Sequence, residues 1–347
     1  MPTPAHPSEL DAMKSPPAVS EVVPPRAVAH WLLALYALVG LMVAVGGITR
    51  LTGSGLSITE WKPVVGALPP LNESDWQRAF ELYQASPQFR QVNHWMSLSD
   101  FKGIYFWEWF HRLLGRFIGV AFFVPWLVFL VRGRLQGAWA RRTAVAFVLG
   151  GLQGALGWFM VASGLVDVPQ VSHYRLAAHL SLAFFVGMYL LWLWLDLRRA
   201  AEPAAPEPAP VAPPPAVFFA FLALLAVQIV YGAFMAGSRA GYLFQTFPDM
   251  NGLWLVTGSS YLDDPVGIHF VHRALGWVVG IAGLALAWRL RPWASGRWLG
   301  ALVLVQFGLG VATVMTSVQI TLAVTHQLGA WALLSASVIA WHRARRG

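Results

Sequence analysis

Eight apolar runs, each about 20 residues long, follow one another through this chain. They lie roughly at 28–48, 105–131, 143–163, 176–196, 216–237, 267–288, 298–317 and 321–341. An α-helix needs about 20 apolar residues to cross the hydrocarbon core of a bilayer. Only 12% of the residues are charged, far fewer than a soluble protein of 347 residues needs on its surface. The sequence therefore predicts an all-α polytopic membrane protein with eight transmembrane helices.

The distribution of basic residues predicts the orientation of these spans. The two terminal segments and the loops near 132–142, 197–215 and 289–297 carry about twice as many Lys and Arg residues as the opposite loops. The positive-inside rule then places both termini in the cytoplasm. The net charge of +8 reflects this loop pattern, so nucleic acid is not an expected partner.

Composition also divides the chain into segments. Residues 1–27 are rich in Pro and Ala and contain acidic residues, unlike a mitochondrial transit peptide, which predicts a disordered cytoplasmic tail and a bacterial inner membrane. The Pro- and Ala-rich stretch 197–215 is predicted to be a linker. It separates an N-terminal half, 28–196, from a C-terminal half, 216–341, and a short basic cytoplasmic tail, 342–347, follows.

The two halves share short motifs in the same order. His111 and His272 each begin His-Arg-x-Leu-Gly, Gln153 and Gln306 each begin Gln-x-x-Leu-Gly, and His179 and His326 each stand early in the last span of a half. Because each half has an even number of spans, the copies share one orientation. The sequence therefore predicts a parallel internal repeat of two pseudo-symmetric four-helix bundles.

Four of the ten histidines, His111, His179, His272 and His326, lie in the even-numbered spans. Each is predicted within about two turns of a helix start, roughly 5–10 Å below the external surface. One His from each of two helices in a four-helix bundle is an arrangement that ligates haem iron, although imidazole also suits zinc or copper. Candidates at one depth argue against electron transfer across the membrane and favour chemistry on haem. The solvated or structural histidines are expected to be His6, His30, His94, His173 and His342.

Charged residues near these histidines differ between the halves. Arg112 and Arg273 follow the first candidate ligand of each half, and Arg175 precedes His179 by one helical turn. They are candidate partners for haem propionates, or they extend to the membrane interface. Glu108 aligns with His269, so only the N-terminal half has a carboxylate beside its imidazole.

The sequence leaves two roles open for Glu108, and it predicts that its counterpart His269 is not a ligand. Glu108 is a candidate general base or a stabiliser of positive charge. Alternatively, it accepts hydrogen bonds from the backbone of an external loop. His269 is expected to be a supporting or surface residue and not a ligand.

Several longer stretches resemble a known family. They are GGITRLTGSGLSITEWKPVVGALPP (46–70), FWEWFHRLLGR (106–116), VPQVSHYRLAAHL (168–180) and FPDMNG (247–252). Together they resemble the haem A synthases, most closely the cysteine-free form of proteobacteria and mitochondria. The resemblance implies oxidation of a methyl group of haem O to a formyl group through a hydroxymethyl intermediate, which gives haem A for cytochrome oxidase.

The resemblance also implies roles for individual residues. His272 and His326 would ligate the iron of a resident haem b in the C-terminal half. His111 and His179 would face the substrate haem iron in the N-terminal half, with Glu108 as the functional carboxylate. The haem sites would then lie near the periplasmic face of the inner membrane.

The partners implied by the resemblance are haem O as substrate, haem O synthase as donor, and cytochrome oxidase assembly factors as acceptors. It also allows a homo-oligomer. The competing hypotheses are a dihaem b electron carrier or quinol-linked reductase, and a transporter. A transporter would place its polar groups near the midplane between the halves, whereas the candidate histidines here lie near one face within each half.

Overall fold

The computed structural model describes residues 24–61, 65–164, 169–201 and 213–345. Within these ranges the chain is helical, and its β pairing is a single isolated bridge in a loop. Eight of the described helices are long and apolar enough to cross a membrane. The predicted all-α class with eight spans is therefore confirmed. Most of the predicted N-terminal tail and linker, and the last two residues, lie outside the described ranges.

Nine α-helices position the functional residues. They are α1 (Arg26–Leu51), α2 (Glu73–Gln84), α3 (Leu98–Val131), α4 (Gly137–Gly164), α5 (His173–Ala201), α6 (Pro215–Ser238), α7 (Pro265–Arg289), α8 (Ala294–Met315) and α9 (Ile320–Ala344) among the described residues. All except α2 are candidate spans. Most extend beyond the predicted apolar runs, because helical hydrogen bonding continues into the charged residues that limit an apolar run. We call the side of the molecule that carries loops 52–97 and 239–264 the large-loop side.

Helix α3 begins earlier than its apolar run predicts, at Leu98 and not near residue 105. Ser97 and Asp100 form a capping box, in which each side chain accepts a hydrogen bond from the backbone of the other residue. His111 consequently lies nearly four turns from the helix start, so the prediction of about two turns is wrong for this residue. The other three candidate histidines lie about two turns into their helices.

The early turns of α3 support an additional helix that the apolar runs do not predict. Asn72 caps the start of α2, and its side chain accepts a hydrogen bond of 2.8 Å from the backbone of Asp75. Its buried Phe80 and Tyr83 pack against Phe101 at ring-centroid distances of 5.2 and 5.1 Å. These aromatic contacts hold the first large loop against the end of α3.

The eight long helices contact one another as two sets of four. In the first set α1 contacts α3 and α5, and α4 contacts both α3 and α5. In the second set α6 contacts α7 and α9, and α8 contacts both α7 and α9. Helices α1, α5, α6 and α9 also contact one another between the sets. Each set therefore surrounds its own interior, and a layer of four helices joins the two.

Trp331 of α9 is the central side chain of this joining layer. Its indole lies against Gly40 of α1 and Gly187 of α5, where a Cβ atom at position 187 would overlap the ring. Phe184 meets the same ring edge to face, with centroids 5.3 Å apart. Small residues at the contact allow the helix backbones to approach closely around a large aromatic side chain.

A polar cluster joins α4, α5 and α9 on the side opposite the large loops. Asp196 of α5 forms an ion pair with Arg142 of α4 and a contact of 2.8 Å with His342 of α9. His342 is 1% exposed and lies within α9, so its assignment to a C-terminal tail is wrong. A polar side chain buried between helices needs such a partner, and Asp196 provides it. Helix α9 extends past the predicted end of its span because this contact keeps its last turn packed.

We expect Gly187→Val to destabilise the layer between the two sets of helices. The added side chain would overlap the Trp331 ring, and overpacking of this kind costs about 1–3 kcal/mol. The thermal unfolding temperature of the detergent-solubilised protein should fall. Gly150→Val is the matched control, because a Cβ at that position meets nothing within 4 Å. Equal unfolding temperatures for both variants would contradict the packing shown here.

Candidate functional site

A large cavity lies inside the second set of helices and reaches the large-loop side. Its volume is about 1020 Å³, at the upper end of the range for cofactor and ligand sites. The side chains that line it include His272, His326, Gln228, Gln306, Trp277 and Phe307. Two predicted site residues, His272 of α7 and His326 of α9, thus face the same enclosed space.

The rings of His272 and His326 are placed as a pair. They lie close enough to interact electrostatically. Nδ1 of each ring is buried and makes no hydrogen bond with the described part of the chain. A buried imidazole without a partner is unfavourable in an apolar bundle, so this pair is arranged for a ligand.

His111 of α3 and His179 of α5 form the corresponding pair in the first set of helices. Their rings also lie close enough to interact electrostatically. Nδ1 of His179 is buried without a hydrogen-bond partner in the described ranges. Nε2 of His179 lies 3.4 Å from Nε2 of Gln153, the polar residue one turn before Gly157 on α4. The structure thus brings the four candidate histidines together as two pairs, one in each set.

Each of the four imidazoles packs against a glycine of a neighbouring helix. A Cβ added at these glycines would lie 3.5 Å or less from the ring: Gly46 against His111, Gly157 against His179, Gly232 against His272, and Gly310 against His326. At Gly157 and Gly310 even a Cβ would lie about 3 Å from the ring, so a larger residue there would displace the imidazole. The glycines therefore fix the depth and direction of the imidazoles.

Glutamine side chains hold the backbone at two of the histidines. Nε2 of Gln153 donates to the carbonyl oxygen of His179 at 3.1 Å, and Nε2 of Gln228 donates to that of His272 at 3.1 Å. Gln153 belongs to the repeat seen in the sequence, whereas the role of Gln228 was not predicted. The available signal was its position as the single amide side chain in an otherwise apolar run. These bonds tie each histidine-bearing helix to its neighbour.

Glu108 is buried at the large-loop side of the first set. Its Oε1 accepts a hydrogen bond of 2.6 Å from Arg112, one turn later on α3. Its Oε2 accepts bonds of 2.7 Å from both Ser57 Oγ and the backbone N–H of Ile58. Arg112 also donates to the carbonyl oxygens of Ile58 and Glu60 at 2.9 and 3.2 Å. The carboxylate and the guanidinium together anchor the first loop above His111.

His269 and Arg273 make the corresponding arrangement in the second set. Nε of Arg273 donates to Nε2 of His269 at 2.9 Å, and Nδ1 of His269 lies 2.9 Å from the carbonyl oxygen of Ala240. The remaining contacts of Arg273 reach the carbonyl oxygens of Phe244, Thr246 and Asp249 at 3.3, 2.8 and 2.5 Å. Both ring nitrogens of His269 are therefore engaged by protein groups. His269 is fully buried and supports a loop.

Arg175 differs from the other two arginines that the sequence singles out. Its guanidinium lies over the ring of Phe159 on α4, 4.9 Å from the ring centroid. It stands one turn before His179 on α5, on the large-loop side of the first histidine pair. Arg112 and Arg273 use their donors on loop carbonyl oxygens, whereas Arg175 stacks on an aromatic ring.

The interiors of the two sets differ at one aligned position. The Phe307 ring of α8 packs against Trp277 of α7 at a ring-centroid distance of 4.8 Å, and a Cβ added at Gly280 would lie 3.7 Å from it. The aligned residue of α4 is Gly154, where a Cβ would meet nothing within 4 Å. A Cβ at Gly119, the counterpart of Gly280, also meets nothing within 4 Å. The first set is therefore open where an aromatic ring fills the second.

The donor atoms fit a haem better than a bare metal ion. Within the described ranges, no group of three or more His, Cys, Asp or Glu side chains is placed to hold a metal. Two imidazoles from two helices of a four-helix bundle suit haem iron, because the porphyrin supplies the other ligands. The orphaned nitrogens of His272 and His326, and the volume of their cavity, are consistent with such a group.

Comparison with known proteins agrees with this geometry. Residues 29–338 match the family model COX15-CtaA, described as cytochrome oxidase assembly protein. A protein of Rhodospirillum centenum named "Heme A synthase" is 47% identical, with 92% of this chain and 89% of the relative covered. Relatives with the same name from Parvibaculum lavamentivorans and Rhizorhabdus wittichii are 44% and 45% identical over 91% and 92% of this chain, and over 93% and 94% of their own lengths. The chain therefore belongs to the COX15-CtaA family of cytochrome oxidase assembly proteins.

Proposed function

We infer that this chain is a haem A synthase, an oxidoreductase of the membrane that converts haem O to haem A. The reaction oxidises a methyl group of the substrate to a formyl group through a hydroxymethyl intermediate. Relatives that cover nine-tenths of the chain carry this name. The single observation that carries the inference is the presence of two imidazole pairs, one in each set of helices. A synthase that acts on one haem with the help of another needs two such positions.

We propose that the C-terminal half, 216–341, holds haem b between His272 and His326. A haem bound there supplies one-electron oxidation and reduction. Gly232 and Gly310 keep the two rings directed between the helices, and Gln228 fixes the backbone at His272. Phe307 and Trp277 pack against each other and line the adjoining cavity. These contacts favour a permanently bound group in this half.

The N-terminal half, 28–196, then receives haem O between His111 and His179. A substrate has to enter and leave, and haem O carries a long isoprenoid chain that haem b lacks. Gly119 and Gly154 leave open the space that Phe307 fills in the other half. Arg175, one turn from His179 on the large-loop side, is the proposed partner for a propionate of the substrate. The open interior supports this division of roles between the halves.

Glu108 is the functional carboxylate of the N-terminal half, and its contacts favour a positioning role over that of a general base. Its two oxygens accept three hydrogen bonds, from Arg112, Ser57 and Ile58. Bonds to an ionised carboxylate are stronger than neutral ones, so this cluster holds the first loop firmly over the substrate position. Arg112 and Arg273, predicted to bind propionates, are engaged with loop carbonyl oxygens and serve the same purpose.

The topology and partners follow from the same proposal. We place both termini in the cytoplasm and the large-loop side at the periplasmic face of a bacterial inner membrane, in accord with the distribution of basic residues. The parallel repeat of two bundles accounts for the matching contacts of the two histidine pairs. Haem O synthase donates the substrate and cytochrome oxidase assembly factors accept the product. Self-association of the chain is compatible with this arrangement.

We expect His272→Ala and His326→Ala to remove the resident haem b. Loss of a ligand should weaken haem binding at least as much as the roughly 10–100-fold effect of changes around a metal site. The measurement is the pyridine haemochrome content and visible spectrum of the purified protein. His111→Ala and His179→Ala are the matched controls, since they should keep haem b and lose haem A formation. Unchanged haem in both C-terminal variants would refute the assignment.

Haem A formation during co-expression with a haem O-producing partner should separate the synthase from a dihaem electron carrier. We expect Glu108→Gln to keep haem b and to lower haem A formation about 100-fold, because the first loop shifts over the substrate. Ser57→Ala keeps the carboxylate and removes one anchoring bond, so a loss of about tenfold is expected. Full activity of Ser57→Ala beside an inactive Glu108→Gln would show direct action on the substrate.

We expect Gly154→Phe to block the substrate position. The new ring would occupy the space that Phe307 fills in the other half, so haem A formation should fall about 100-fold while haem b remains. Gly150→Phe is the control, because this residue lies one turn earlier on the same helix and also has no neighbour within 4 Å. Normal haem A formation in Gly154→Phe would place the substrate elsewhere.

A further inference from the structure

Two arginines, Arg50 and Arg239, lie at the large-loop end of the His272–His326 cavity. Arg50 is near the end of α1, and Arg239 directly follows α6. Both line the cavity that His272 and His326 face. The two guanidinium groups lie close enough to repel each other electrostatically. A pair of like charges beside an apolar cavity is unfavourable unless an anion joins them.

Arg50 is mostly withdrawn from solvent and has a single protein acceptor. Its Nη2 donates to the carbonyl oxygen of Gly237 near the end of α6, at 3.0 Å. No Asp or Glu forms an ion pair with it in the described part of the chain. Arg112 and Arg273, by contrast, distribute their donors over several acceptors each. Arg50 therefore retains unused donors next to the cavity.

Arg239 stands in a backbone conformation that rarely suits its residue type. Its φ angle is 57°, in the left-handed region that usually holds glycine after the end of a helix. The side chain is exposed and makes no hydrogen bond or ion pair with another described residue. A left-handed non-glycine residue costs of the order of 1 kcal/mol, and such residues concentrate at ligand sites. Because the side chain does nothing for the fold, its charge is available to a ligand.

We propose that Arg50 and Arg239 bind the two carboxylates of the porphyrin that His272 and His326 hold. A haem placed between these imidazoles brings its propionates to one edge, and the guanidinium groups of Arg50 and Arg239 lie at the large-loop end of the cavity. Guanidinium groups match carboxylates in charge and geometry. This assignment rests on the proposed function and replaces Arg273, whose donors are engaged by loop carbonyl oxygens.

The proposal makes the haem b site a joint product of both halves. Arg50 belongs to α1 of the N-terminal half, whereas the histidines and Arg239 belong to the C-terminal half. Residues of the first loop, including Gln88 and Trp95, line the same end of the cavity. Binding of the cofactor would therefore fasten the first loop and α1 to the second set of helices.

The test compares Arg50→Gln, Arg239→Gln and the double variant as purified holoproteins. Each single change should speed haem b loss to an apo-acceptor protein about tenfold, the usual effect of removing one charged hydrogen bond. The haem midpoint potential should also shift to more negative values, because unpaired propionates stabilise the oxidised haem. Arg50→Lys and Arg239→Lys keep the charge and should restore most of the potential.

Arg297→Gln is the matched control, because this exposed arginine at the start of α8 does not line the cavity. The Arg239 side chain is exposed and makes no hydrogen bond or ion pair with the described residues, so its substitution tests the proposal without a folding defect. Wild-type haem retention and potential in all Gln variants would overturn the assignment. If His272→Ala also left the haem b content unchanged, the proposed haem b site between His272 and His326 would be refuted as well.

Discussion

The packing of an imidazole against a glycine is the contact on which the functional interior depends. It occurs at each of the four histidines that the sequence singles out, and always between neighbouring helices. A histidine in an apolar bundle is tolerated only where its nitrogens meet a partner or a ligand. The glycine allows the edge of the ring to approach the backbone of the neighbouring helix, and this fixes where the imidazole lies between the helices. The imidazole–glycine contacts thus set both the spacing of the helices and the position of the four histidines.

A second constraint comes from the loops that cover these histidines. In both halves an arginine after the first histidine reaches one turn back along its helix and also donates to loop carbonyl oxygens. It reaches Glu108 in the first half and His269 in the second. The Glu108 carboxylate also accepts hydrogen bonds from two donors of the first loop, Ser57 and Ile58. His269 makes one such loop contact, with the carbonyl oxygen of Ala240. The same arrangement therefore holds a longer loop in the first half through a charged anchor.

The two halves differ at one aligned position beside their histidines. Phe307 and Trp277 close the space beside His272, whereas Gly154 leaves the matching space open near His179. This difference supports the proposed division between a permanent group in one half and a transient substrate in the other. Trp331, held between Gly40 and Gly187, keeps the halves in register, so that α1 of one half reaches the cavity of the other.

The sequence by itself determined the eight spans and the four histidines, because apolar length and an ionisable residue inside an apolar run are local properties. Its motifs also identified the family. The extension of α3 to Leu98 escaped prediction, because it depends on a capping box and on aromatic contacts with α2. The burial of His342 was not predicted, because its partner, Asp196, lies on a helix distant in sequence. Only the tertiary structure decided that Arg112 and Arg273 bind loop carbonyl oxygens, and that Arg50 and Arg239 face one cavity. Helix rotation and loop closure set those pairings, and neither is encoded in the residues nearby in sequence.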